Sequence, residues 1–181
     1  MFIFKETPLS SVMEITPETF SDSRGFFMET FNAREFKKAG IDHVFVQDNQ
    51  SVSKKGVLRG MHYQTGSTAQ GKLVRVTQGS VLDVVVDVRP ESQSFGKWHG
   101  VVLSKENMKM LWVPPGFAHG FLSLEDGTIF QYKCTAHYDP DNESGFIWND
   151  ATVLIDWRLE QFRIGEPIIS EKDKKLPLLS I

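Results

Sequence analysis

Short β-type runs recur along this chain at roughly ten-residue spacing, punctuated by Gly and Pro, and that rhythm points to an all-β sandwich or small barrel. The strongest run is Val81-Leu82-Asp83-Val84-Val85-Val86-Asp87-Val88, nearly continuous in β-branched residues. Asp83 lies among its valines. A buried carboxylate needs a partner, and Lys72 or Arg75 across the preceding hairpin are the near candidates.

That hairpin is the chain's most informative stretch. Val57-Leu58-Arg59-Gly60-Met61-His62-Tyr63-Gln64 and Gln70-Gly71-Lys72-Leu73-Val74-Arg75-Val76 flank a small polar loop and read as two strands with a long connection. Strict alternation puts Leu58, Gly60, His62 and Gln64 on one face. Gly60 inside a strand marks a bulge or a close backbone approach, and a bulge would turn Arg59 and His62 to the same side. Lys72, Val74 and Val76 share a face of the second strand.

Composition bounds the rest. At 181 residues, 40% apolar and 24% charged, the chain has the makeup of one globular domain spanning 1–181. A net charge of −3 with interspersed signs gives no footprint for nucleic acid. The one cysteine, Cys134, allows no intrachain disulfide. The N-terminus carries no secretory pattern, and no stretch approaches the ~18 apolar residues of a membrane span. The expectation is a cytoplasmic protein with no membrane partner.

Several local readings follow in chain order. Phe20–Gly25 reads as a turn and Phe26–Phe31 as a strand with Phe27, Glu29 and Phe31 on one face. Asn32 suits a helix N-cap, with Glu35 in capping-box position and Gly40 as the stop. Val44–Ser51 reads as a strand running into a loop, with Gln47 and Asn49 to one side. Phe117–Leu124 and Thr128–Thr135 are strands, the latter with Phe130, Tyr132 and Cys134 on one face. Phe146–Asp150 and Val153–Trp157 read as short late strands. Ser170–Lys175 is one helical turn in which Ser170 and Asp173 fit a capping box.

Of the five histidines, His62 stands in a strand without the second same-face histidine that a metal site would use. Lys72 nearby would repel a cation, so no metal is expected. There is no G-x-S-x-G, and Cys134 lacks an activating context. What remains is His, Lys, Arg and Tyr on adjacent strands, a set suited to proton transfer beside a carbonyl: imidazole as base, ammonium at the enolate oxygen, phenol as acid.

Together these stretches resemble the dTDP-4-dehydrorhamnose 3,5-epimerase family over nearly the whole chain. The resemblance is carried by Phe20–Glu29, Val46–Asn49, Val57–Gln64, Gln70–Val76, Pro115–Phe121, Tyr132–Cys134 and Ile169–Asp173. It implies a cupin-type jelly-roll fold with short peripheral helices and a thymidine diphosphate 4-keto-6-deoxy sugar as substrate. It further implies His62 as base, Asp173 as its partner, Lys72 at the enolate and Tyr132 as the acid. Arg24, Glu29, Gln47, Asp48, Asn49, Arg59, His119, Glu143 and Lys172 match positions that hold the nucleotide sugar, and Tyr138 one that stacks on thymine. Members are homodimers whose N-terminal strands cross over, so Arg24 and Glu29 serve the partner's site in that reading. No cofactor is implied. The residues leave three other readings open: a mono-epimerase at C3 or C5 or a ketoisomerase on the same sugar, a non-catalytic nucleotide-sugar-binding jelly roll, and a metal-dependent oxygenase of the same fold.

Overall fold

The computed structural model describes residues 1–179. In chain order its elements begin with β1 (Phe2–Glu6), β2 (Met13–Pro17), β3 (Thr19–Asp22), β4 (Gly25–Met28), α1 (Ala33–Lys38), β5 (Gln47–Ser53) and β6 (Val57–Gln64). They continue with β7 (Lys72–Gln78), β8 (Ser80–Asp87), β9 (Trp98–Ser104), β10 (Met110–Val113), β11 (Phe117–Ser123), β12 (Thr128–Cys134), β13 (Glu143–Gly145) and β14 (Ile168–Ile169). One antiparallel sheet runs β1-β2-β10-β7-β12-β5; the other runs β13-β6-β11-β8-β9, with β14 added parallel to β6. The two sheets make the all-β, cupin-like jelly roll that the resemblance implies.

Period-two alternation explains the layering. Val74, Val76, Val81, Val85, Leu103, Leu111, Phe117, Phe121 and Phe130 meet between the sheets. The intervening positions of β8 and β11, Leu82, Val84, Val86, Ala118 and Leu122, face outward and are covered by Phe146, Val153, Trp157 and Ile164 of the C-terminal segment. On the outer side of the first sheet, Ile15, Leu73, Met110 and Trp112 pack with Phe2 and Phe36. Strand β8 is buried on both faces, which is why its sequence is nearly all apolar.

The expected hairpin over Val57–Val76 does not form. β6 belongs to one sheet and β7 to the other, so segment 65–71 crosses between layers. Facing sheets lie only ~10 Å apart, a gap that a connection of this length spans as readily as it returns along an edge. Asp83 accordingly pairs with neither Lys72 nor Arg75; its carboxylate bonds His119 on the adjacent β11, at 2.9 and 3.1 Å.

Three smaller corrections have local causes. Phe20–Phe27 is an exposed hairpin, β3 against β4, rather than a turn followed by a strand to Phe31. Asp22 accepts the Arg24 N–H at 2.8 Å, which confines the turn to a few residues. The strand stops at Met28, so Phe31 leaves the face shared with Phe27 and packs on Phe36 and Phe45 at 4.9 and 5.0 Å. The late strands at 146–157 are turns: the Asp150 carboxylate gathers the N–H groups of Thr152, Val153 and Leu179, which coils the backbone while Phe146 and Trp157 stay buried. Helix α1 is capped by Asn32, which accepts from the Arg34 and Glu35 N–H groups, but Glu35 pairs with Lys38 and does not complete the box.

Candidate active site

Gly60 decides which side chains look into the barrel. Leu58 and Met61, three residues apart, both belong to the outer cluster, so alternation is broken between them. The pairing of β6 with β11 jumps from Arg59 opposite Phe121 to His62 opposite His119. Gly60 has φ +130°, and a Cβ there would lie 2.6 Å from the Cα of Gly120, a contact only glycine avoids. The bulge puts Arg59 and His62 on the same inner face.

His62 and Asp173 form the core of the site. Nε2 of His62 lies 2.9 Å from Oδ1 of Asp173, while Oδ2 accepts the Gly60 N–H at 3.3 Å. Asp173 heads a short 3-10 turn, where its own N–H donates to Ser170 Oγ at 3.1 Å. Burial raises its carboxyl pKa, but the hydrogen bond and charge of His62, the Gly60 amide and Ser170 together outweigh that and hold it below the ordinary value. The pair fixes the imidazole with Nε2 engaged and Nδ1 available.

A cleft of about 260 Å³ opens beside His62, lined also by Gln47, Asn49, Tyr63, Gln64, Gln70, Lys72, Tyr132, Tyr138 and Glu143. His62 comes from β6 in one sheet; Lys72 and Tyr132 come from β7 and β12 in the other. Base and acid candidates therefore stand on opposite walls. Among the described residues neither the Lys72 ammonium nor the Tyr132 hydroxyl has a side-chain partner within hydrogen-bonding distance. Burial lowers the Lys72 pKa, against the neighbouring Cys134, Asp83 and Glu143. Burial raises that of Tyr132, which keeps the phenol protonated.

The mouth is built by three linked side chains. Glu143 Oε2 accepts from Lys172 Nζ at 2.6 Å and from the Tyr138 hydroxyl at 2.8 Å. Burial raises the Glu143 pKa, and these two donors reverse it to a net lowering. On β5, Gln47 accepts the Tyr138 N–H at 2.9 Å and donates to Asn49 at 3.1 Å. Asn49 in turn reaches Cys134 Sγ at 3.5 Å.

The other expected residues lie elsewhere. Asp48 alternates to the outer face of β5 and pairs with Lys133 at 2.9 Å. Arg59 faces inward and donates to Ser53 at 3.3 Å; it is outside the lining but near enough to Tyr132 for its charge to act against the rise in that phenol's pKa. His119 is buried with its Nε2 on Asp83 and its ring stacked on Phe130. Arg24 is bound to Asp22 at the tip of the exposed β3–β4 hairpin, and Glu29 accepts from Asn32. Neither lines this chain's cleft.

Gln64, Gln70 and Tyr63 line the cleft without having been singled out from sequence. For Gln64 the signal was its shared face with His62; Gln70 gave none. Among the described residues, no group of three or more His, Cys, Asp or Glu is gathered as a metal site requires.

Comparison with known proteins finds matches along nearly the whole chain. The family model for dTDP-4-dehydrorhamnose 3,5-epimerase matches residues 6–180. A dTDP-4-dehydrorhamnose 3,5-epimerase from Methanothermobacter thermautotrophicus is 50% identical over 173 residues, covering 96% of this chain and 92% of the relative. The crystal structure of the Bacillus anthracis enzyme of that name, with TDP and PPi bound, superposes with a TM-score of 0.94 at 42% identity, over 99% of this chain and 100% of that one. A Legionella pneumophila dTDP-6-deoxy-D-glucose-3,5-epimerase in complex with dTDP-4-keto-L-rhamnose gives 0.92 at 44% identity, over 99% of this chain and 93% of that one.

Proposed function

The chain belongs to the dTDP-4-dehydrorhamnose 3,5-epimerase family, a family of isomerases, and from that premise we propose that it inverts C3 and C5 of dTDP-4-dehydro-6-deoxy-D-glucose. The product is dTDP-4-dehydro-L-rhamnose, on the route to dTDP-L-rhamnose. The C4 ketone of such a sugar acidifies the hydrogens on both neighbouring carbons. His62, through Nδ1, takes one of them; the electron pair moves into the ketone to give an enolate. Asp173 stabilises the imidazolium that results. The Lys72 ammonium stabilises the enolate oxygen. Tyr132 delivers a proton to the opposite face, and solvent then returns His62 and Tyr132 to their starting protonation. A second cycle at the other carbon completes the reaction.

The observation that carries this reading is the pairing of His62, on one sheet, with Asp173 of the C-terminal turn at 2.9 Å, across a cleft whose other wall supplies Tyr132 and Lys72. Inversion needs donor and acceptor on opposite sides of one carbon, and two facing sheets provide that arrangement. Gln47, Asn49, Glu143 and Lys172 hold the nucleotide sugar at the mouth, with Tyr138 against the base.

A homodimer completes the site in this reading. Phe20, Phe26 and Phe27 are 53–66% exposed on the β3–β4 hairpin, an apolar surface suited to burial against a second copy. Arg24 and Glu29 then serve the partner's cleft, where an arginine fork suits a diphosphate.

The test is turnover in D2O. Deuterium is expected at both C3 and C5 of the product. Label at a single carbon would make the protein a mono-epimerase, and binding without exchange would make it a nucleotide-sugar-binding jelly roll.

A further inference from the structure

Tyr138 is more than half exposed at the cleft mouth, yet its peptide groups are fixed on both sides by one side chain. Gln64 lies two residues beyond His62 on β6 and is 5% exposed. Its Nε2 donates to the carbonyl of His137 at 3.1 Å and to that of Thr68 at 2.7 Å. Its Oε1 accepts the N–H of Asp139 at 2.9 Å. A single amide thus grips the carbonyl that precedes Tyr138 and the N–H that follows it.

Two further contacts complete the frame. Gln47 takes the N–H of Tyr138 itself. Glu143, which stands opposite Gln64 in the β13–β6 register, takes the phenol. The small polar segment 65–69 also has a part: Thr68 supplies a carbonyl to Gln64, and the Thr65 N–H bonds the Asn142 carbonyl at 3.0 Å. A loop-borne ring with free torsions loses that freedom on binding; a ring already held loses little.

We propose that Gln64 is a positioning residue that clamps the peptide groups flanking Tyr138 and presents its ring as a fixed platform for the nucleotide's base. The proposal rests on the reading of Tyr138 as that platform. Gln64 touches the proton-transfer step nowhere; its effect is on the hold of the nucleotide. A buried amide that makes three hydrogen bonds is also costly to replace by a group that makes none.

The experiment is a double-variant cycle on the full chain, with Gln64→Met as the near-isosteric change. KM for the 4-keto sugar nucleotide, kcat, and the dissociation constant of thymidine diphosphate are measured for wild type, Gln64→Met, Tyr138→Ala and the double variant. Gln64→Met should raise KM and the dissociation constant about tenfold and leave kcat within about twofold of wild type, in keeping with the strength of base–aromatic stacking. In the Tyr138→Ala background the same change should add nothing. An equal loss in both backgrounds, or a fall in kcat as large as the rise in KM, overturns the clamp. Tyr138→Ala that binds thymidine diphosphate as wild type does would overturn the platform reading itself, and the clamp with it. Should Gln64→Met fail to fold, a crystal structure of the wild-type complex with thymidine diphosphate decides. Both clamp bonds should persist with the ring against thymine; a Gln64 amide turned to the ligand contradicts the proposal.

Discussion

Two buried polar regions share strand β8 and are built on opposite plans. Asp87, fully buried at the end of the strand, accepts from Arg89 Nε at 2.8 Å and Nη2 at 2.6 Å, from the Arg89 N–H at 3.0 Å, and from the hydroxyls of Ser92 and Ser94 at 2.5 and 2.6 Å. Burial alone would raise its pKa; these donors instead drive it far below the carboxylate range. Arg89 is itself packed over Phe117 at 4.5 Å. Four residues earlier on the same face, Asp83 has His119 as its one side-chain partner among the described residues, and burial pushes its pKa up against the charges of His119 and Lys72. The cleft contains Lys72 and Tyr132, whose polar ends have no hydrogen-bond partner among the described residues. A saturated carboxylate fastens a loop. Polar groups left open around a cavity are positioned to meet a ligand.

The difference can be broken by moving function and stability separately. His62→Ala should lower turnover by about 10²–10⁴-fold while thymidine diphosphate binding stays near wild type, read by steady-state rates and calorimetry. Retained turnover in that variant would reject His62 as base. Asp87→Ala should do the reverse: a stability loss of about 1–3 kcal/mol in denaturant unfolding, with kcat of the folded fraction unchanged. Lys72→Ala belongs with His62, at about 3 kcal/mol of transition-state stabilisation, expressed in kcat more than in affinity.

A smaller effect sharpens the contrast through pH. Asp87 has a depressed folded pKa, so the stability it contributes is present above its unfolded value, about 3.9, and is lost as pH falls through the folded value. The stability gap between wild type and Asp87→Asn should therefore hold at neutral pH and narrow in acid. Asp83 has a raised folded pKa, so its contribution is fully present below about 3.9 and is lost as pH rises through the folded value. The stability gaps of wild type over Asp83→Asn and over Asp87→Asn, plotted against pH, should therefore have opposite slopes, falling with pH for Asp83 and rising for Asp87. Parallel slopes would mean the two regions are built alike.

How far the sequence reveals this architecture varies by residue. The strands were legible because β8, β11 and β12 carry period-two or continuous apolar runs that burial on one or both faces enforces. Partnership was not legible. Val57–Gln64 and Lys72–Gln78 read as strands whichever sheet each joins, and segment 65–71 is compatible with either path. The late apolar residues Phe146, Val153 and Trp157 reveal burial, yet the Asp150 turn that keeps them out of strands depends on the N–H of Leu179, which is remote in sequence. Within the site, Gly60 announced its bulge, and residue type marked His62, Lys72 and Tyr132 as candidates for proton chemistry, which the fold brings to one cleft. Asp173 by itself looked like a helix cap. Its backbone N–H does donate to the Ser170 hydroxyl, but its carboxylate turns to His62, a contact between residues 111 apart that local pattern cannot reveal. Asp48 lies between Gln47 and Asn49 in the chain, but alternation along β5 sends it to the outer face.

The central claim is that proton removal and proton return are carried out by different walls of one cleft. Tyr132→Phe in D2O tests it most directly. With the phenol gone, His62 can still remove a hydrogen and return a deuteron to the face it came from. The account predicts deuterium entering the recovered substrate with its configuration retained and with little inverted product. Inversion at the wild-type rate in that variant would contradict it.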